Sequence, residues 1–191
     1  MSKVYVAAGH SPNTDIASRL YEWERCMVAE KECVRLLRGS GIEVVVPDDD
    51  MREMENNIAL RAKVKQCNEE GCDLAVELHL NAGGGSYATN LFWDDKERGR
   101  SSEGGEALSR DIAMVCDAAL DWEVRYGPQS DYGRELYFLG KTSCPSSILE
   151  PAFKDFEQHK RWIDAPQGMI TYGVMTYLGI LNFLREQGRE V

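Results

Sequence analysis

The 191-residue sequence contains no pair of cysteines at Cys-x-x-Cys spacing. Its six cysteines, Cys26, Cys33, Cys67, Cys72, Cys116 and Cys144, are scattered. Several fall within apolar helical patterns, where cysteine behaves as a small hydrophobe. A disulfide frame and a thiolate zinc site are both disfavoured, and reduced, mostly buried thiols are expected. No apolar run is long enough to cross a bilayer. The opening Met-Ser-Lys-Val-Tyr-Val-Ala-Ala-Gly-His passes directly into a strand pattern. It lacks a basic stretch followed by a long apolar core, so no signal peptide is expected and synthesis is expected in the cytoplasm. Basic charge is in short supply: 22 Lys and Arg face 32 Asp and Glu, for a formal net charge of −10. That disfavours nucleic acid and anionic membranes as main partners. Neither an internal repeat nor a low-complexity linker interrupts the chain. Residues 1–191 are therefore expected to form one domain, long enough for a sizeable core. Nothing in the pattern specifies an oligomeric state.

What is present suits a layered α/β protein: 43% hydrophobic residues and 17 glycines. Apolar runs bounded by turn residues predict strands over Val4 to Ala8, Ile42 to Pro47, Asp73 to Ala82, Tyr87 to Trp93, Glu135 to Leu139 and Ser146 to Leu149. Helical periodicity predicts helices over Glu22 to Gly39, Asn56 to Gly71, Gly104 to Leu120 and about Gly168 to Gln187. In the last of these, Met169, Gly173, Thr176 and Ile180 mark a core stripe. Asp48-Asp49-Asp50 reads as a solvated loop, and Trp122 to Arg134 as a polar, mobile rim. The alternation predicts a single-domain layered sheet, mainly parallel, of about six strands with helices on both faces.

Ligands in such sheets gather beyond the carboxyl ends of the strands. His10 follows the first strand and His79 lies at the end of the third. Glu22 opens a helix on the face of Cys26, Ala29 and Cys33, so it points inward, where an unpartnered charge is costly. Its neighbour Glu24 shares a face with Val28, Lys31 and Arg35 and points to water. Two imidazoles and a carboxylate leave zinc an open fourth position, the pattern of a catalytic site. Glu150, ending another strand, would then be a free carboxylate able to take a proton from water. The residues lie far apart, and no His-Glu-x-x-His motif fixes them, so spacing alone leaves the assignment open.

Four segments carry a resemblance: Ala8-Gly9-His10-Ser11, Tyr21-Glu22-Trp23, Glu77-Leu78-His79-Leu80-Asn81-Ala82 and Ile148-Leu149-Glu150-Pro151-Ala152-Phe153. In order and spacing they resemble the zinc-dependent N-acetylmuramoyl-L-alanine amidases of the type 3 class, found among cell-wall remodelling enzymes and phage endolysins. The resemblance spans nearly the whole chain. It implies zinc held by His10, Glu22 and His79, and catalysis by Glu150. Arg61 and Asn68 match framework positions. Ser11 departs from the glycine many members carry there, and Pro151 is unusual after the catalytic glutamate.

The implied substrate and partner is peptidoglycan, cut between N-acetylmuramic acid and L-alanine. Asn81, Trp93 and Tyr132 are candidate substrate contacts, with Trp23 and Trp122 as further aromatic candidates for stacking. No separate wall-binding domain is expected. Action on the wall would follow release by a holin or by lysis, which favours a prophage endolysin. The competing classes are a carboxypeptidase-like zinc enzyme of the stem peptide, which would need a cation to grip a carboxylate, and a wall-binding module with a dead site.

Overall fold

The structure is a computed structural model and describes residues 2–189. In chain order its first elements are β1 (Lys3–Ala8), α1 (Ala17–Gly39), β2 (Glu43–Val45), α2 (Asp49–Glu53), α3 (Asn56–Glu69) and β3 (Leu74–Leu78). There follow β4 (Ala88–Phe92), β5 (Asp94–Asp95), β6 (Arg100–Ser101), α4 (Glu103–Ala119) and β7 (Val124–Pro128). The chain closes with α5 (Tyr137–Lys141), β8 (Ser146–Glu150), α6 (Glu157–Asp164) and α7 (Pro166–Glu186).

Six strands form one sheet in the order β2-β1-β3-β8-β4-β7, and β5 and β6 form a separate small ribbon. β1, β2, β3 and β8 run parallel, whereas β4 pairs antiparallel with β8 and parallel with β7. β1, β3 and β8 are buried along nearly their whole length, as near-continuous apolar runs in a covered sheet must be. Alternate residues feed two cores. Val4, Val6, Leu74, Val76 and Leu149 pack against α1, α4 and α7. Tyr5, Ala7, Ala75, Leu91 and Ile148 pack under α3 and α5. The Met169, Gly173, Thr176 and Ile180 stripe of α7 is buried in the first core. A methyl group on Gly173 would meet the Ala29 carbonyl of α1 at 2.5 Å, so glycine lets the two helices touch.

Several elements differ from the sequence expectation. α1 begins at Ala17, so Glu22 lies beyond the first turn and placement at the positive end of the helix does not account for it. Ala17 to Tyr21 extend the helical run before the inward stripe begins. Asp49 and Asp50 open the short helix α2; acidic residues in a first turn suit the helix dipole. Glu135 to Leu139 is not a strand: its apolar residues belong mostly to α5, with Phe138 and Leu139 buried. The sixth strand is instead β7, inside the segment read as a mobile rim. It is an edge strand with two exposed residues, Arg125 and Tyr126, and so lacks the apolar run of its neighbours. The polar helix α6 was not legible, since only His159 and Ile163 of its residues are buried.

Candidate functional site

The site is built where β1, β3 and β8 end. β1 leaves the sheet through Gly9-His10. His10 adopts φ 62°, a left-handed conformation that a residue with a side chain holds only when its surroundings enforce it. Gly9 is required by contact: a Cβ there would fall 2.2 to 2.5 Å from three atoms of the His79 ring. The His79 imidazole therefore lies flat against the Gly9 backbone, and the two histidine rings meet edge to face at 5.0 Å.

Glu22 reaches this point from α1 and is 2% exposed. Its Oε1 lies 3.3 Å from His10 Nε2 and 2.9 Å from His79 Nδ1, and accepts the Leu80 amide at 2.9 Å. Its Oε2 pairs with Lys154, which comes from the loop after β8. Glu24 is exposed and takes no part. His10, Glu22 and His79 each offer one donor atom, and these atoms all lie within 4.8 Å of one another. They are the one such group among the described residues.

The outward nitrogens of both rings are also engaged. His10 Nδ1 lies 3.3 Å from Asn56 Oδ1, and His79 Nε2 lies 3.1 Å from Glu77 Oε2. An acceptor on the outer nitrogen leaves the inner nitrogen to present its lone pair, as a metal-ligating histidine requires. The donor set therefore suits a zinc ion with an open position. Without a metal, burial pushes the His79 pKa down, but its bonds to Glu22 and Glu77 outweigh this and raise it to about 10. Glu22, despite burial, is held well below the usual carboxylate range by His10 and His79. A metal would take the place of that proton.

Glu150 ends β8 and is 6% exposed. Arg134 Nη1 donates to its Oε1 at 2.6 Å, and Arg134 Nη2 to Asn81 Oδ1 at 3.1 Å. Glu150 Oε2 is buried and has no hydrogen-bond partner among the described residues. His10, Glu22, His79, Asn81, Arg134 and Glu150 line one open cleft of about 300 Å³, with Leu80, Ala82, Leu136 and Ile148. The histidines also border a smaller cavity of about 120 Å³, lined by Asn56, Lys63 and Glu77 among others.

The loop after Glu150 is tied down from several sides. Asn81 donates its amide to the Ala152 carbonyl, and its own carbonyl accepts from Lys154, each at 2.9 Å. Asp155 accepts the Gly83 and Gly84 amides. Trp122 Nε1 donates to the Pro151 carbonyl at 2.9 Å. Proline at 151 lacks the donor that would continue the ladder. Ser11 donates its hydroxyl to the Met54 carbonyl at 2.8 Å, pinning the loop after His10.

The other candidates, apart from Asn81, do not line the cleft itself. Trp93 lines a neighbouring groove with Gln129, Tyr137 and Lys141, which shares Arg134 and Leu136 with the cleft. Tyr132 packs at the edge of the second core. Trp23 and Trp122 pack against the first core. Arg61 stacks over Tyr137, and Asn68 binds the Lys141 carbonyl and the Ser143 amide, so both brace α3 against the α5 region rather than the cleft. Arg134, Lys154, Lys63 and Asn56 escaped the sequence reading. Lys63 had a signal, a lysine on the buried stripe with Ala59 and Cys67. Glu77 had another, a charge inside a wholly buried strand.

A family model described as N-acetylmuramoyl-L-alanine amidase matches residues 4–182. Solved structures share the fold at low identity. An N-acetylmuramoyl-L-alanine amidase from Clostridium difficile 630 superposes with TM-score 0.79 at 17% identity, covering 98% of each chain. AmiC2 of Nostoc punctiforme gives 0.77 at 16%, covering 96% of this chain and 97% of its own. The CwlD amidase of Clostridioides difficile, solved with the GerS lipoprotein, gives 0.75 at 18%, covering 97% and 100%. No curated protein sequence gives a significant match.

Proposed function

This chain belongs to the N-acetylmuramoyl-L-alanine amidase family, hydrolases of the amide between N-acetylmuramic acid and L-alanine in peptidoglycan, and we propose that it works as a zinc enzyme with Glu150 as general base and acid. The observation that carries the proposal is the convergence of His10, Glu22 and His79 in the cleft that Glu150 lines. Two imidazoles and a carboxylate are a donor set zinc accepts, with room for a further ligand.

When bound, zinc supplies a Lewis acid that polarises the scissile carbonyl and makes water easier to deprotonate. The remaining work belongs to the chain. Lys154 occupies Glu22 Oε2 and leaves Oε1 to face the histidines. Arg134 holds Glu150 by Oε1, which fixes the carboxylate and leaves Oε2 without a competing donor. Glu150, which lines the cleft, takes the proton of the attacking water and returns it to the alanine nitrogen as the C–N bond breaks. Asn81 holds Arg134 from the far side and binds the loop that follows Glu150.

Mass spectrometry of purified peptidoglycan digested with the zinc-loaded protein tests the reading. We expect stem peptides with a free L-alanine amine and glycan strands stripped of peptide, with activity lost on chelation and regained with zinc. Release of a carboxyl-terminal amino acid would mark a stem-peptide peptidase instead. Arg134 is the cation such an enzyme would need, but both of its terminal nitrogens are engaged, by Glu150 and Asn81.

A further inference from the structure

We propose that a buried ion pair, Lys63 with Glu77, positions both histidines of the metal site: Glu77 fixes the ring of His79, and Lys63 fixes the turn that carries His10. The inference rests on the zinc reading of the site.

Glu77 lies in the central strand β3, between Ala7 of β1 and Ile148 of β8, and is 2% exposed. Side chains two apart on a strand share a face. Its carboxylate therefore stands beneath the residue two positions on, and Oε2 lies 3.1 Å from His79 Nε2. An acceptor-only carboxylate requires the proton on Nε2 and leaves Nδ1 for Glu22 and the cleft.

Lys63 comes from α3 on the same side and is 4% exposed. Its ammonium has three hydrogens and three acceptors. Nζ lies 2.6 Å from the Ala8 carbonyl, 2.7 Å from the His10 carbonyl and 3.5 Å from Glu77 Oε1. The two carbonyls flank Gly9. Pairing between β1 and β2 ends at Tyr5 and Val45, so β2 does not reach the Ala8 carbonyl. Lys63 takes the place of that strand and holds the left-handed turn at His10.

A stability role alone does not explain the pair. Two buried charges of this kind are often replaced by apolar residues with no loss of stability, or with a gain. What an apolar pair could not do is bind the outer nitrogen of His79 and the His10 carbonyl at once. Carboxylates on the outer nitrogen of a ligating histidine usually set its tautomer and raise its basicity, and their loss costs about 10- to 100-fold in metal affinity.

The test is zinc affinity, measured on the full chain by competition with a chromophoric chelator at a temperature where each variant is folded. The parent should take up about one zinc. Lys63→Met/Glu77→Leu removes both charges and should fold with near-parental thermal stability. Its zinc affinity should fall about 10- to 100-fold. The visible spectrum of its cobalt form should also change, because the His79 ring is no longer fixed. Lys63→Met/Glu77→Gln is the milder variant should the first fail to fold. It keeps an acceptor for His79 and should lose affinity by a smaller factor, about tenfold, with its cobalt spectrum altered in the same sense. A folded double variant that binds zinc within about twofold of the parent, with an unchanged cobalt spectrum, overturns the inference and leaves the metal reading intact. A parent that takes up no zinc overturns both.

Discussion

At the scale of single residues, one hydrogen atom at Gly9 separates a formed site from a blocked one. A methyl group there would overlap the His79 ring. Gly9→Ala is expected to lower zinc affinity at least tenfold by driving that ring away from Glu22, while the fold persists. Gly39→Ala is the control, since a Cβ at the end of α1 meets nothing within 4 Å. It should bind zinc as the parent does and melt at the same temperature or slightly higher. Equal affinity in both variants would show that His79 can bind metal from another position. His10, Glu22, His79 and Glu150 were named from the sequence because each sits at a strand end or on an inward face, and because four segments carry a family resemblance. The distinction between Glu22 and Glu24 was legible from helical faces alone, and the structure buries the first and exposes the second. The partners of these residues were not legible. Arg134, Lys154 and Asn56 lie on loops or helix ends, where no periodicity marks a side chain that reaches across the fold.

At the scale of elements, the loop between β8 and α6 is where pH should be felt. His159 on α6 is 0% exposed, stacked on Trp122 at 4.2 Å and near Phe156 at 4.9 Å. Its Nδ1 accepts the Phe153 amide at 3.0 Å, so the ring serves as a neutral acceptor. Burial lowers its pKa from the ordinary 6.5. A histidine with a lowered folded pKa binds its proton more readily when unfolded. Its contribution to stability is complete above about 6.5 and declines as pH falls toward the folded value. The slope is at most roughly 1.4 kcal/mol per pH unit. Urea unfolding of the parent should show this decline between pH 7 and 5.5, and His159→Gln should flatten it. Identical profiles would mean that the loop after Glu150 is held by its other bonds alone. The elements themselves were legible where burial writes a pattern. β1, β3 and α4 follow from apolar runs and a helical stripe, whereas β7 and α6 are half exposed and carry neither. Glu135 to Leu139 misled because one turn of a buried helix and one short strand are both simply apolar.

At the scale of the whole molecule, six strands were expected and six form the main sheet, with β7 in place of the segment that became α5. Parallel order dominates, and the antiparallel pairing of β8 with β4 is a long-range choice no local residue announces. The formal charge of −10 has its own consequence. An acidic protein is repelled by anionic wall polymers, and salt screens that repulsion over a Debye length of about 8 Å at physiological strength. Activity on intact walls should hold or rise as salt goes from low to moderate; a steep fall would reveal attraction through a basic groove. The proposed catalysis turns on Glu150, buried at a strand end with one oxygen held by Arg134 and the other without a partner among the described residues. Its most direct test is the turnover of Glu150→Gln on purified peptidoglycan, with the variant fully loaded with zinc. We expect a fall of about 10²- to 10⁴-fold, the usual contribution of a positioned acid–base group. Turnover equal to the parent's would contradict the account.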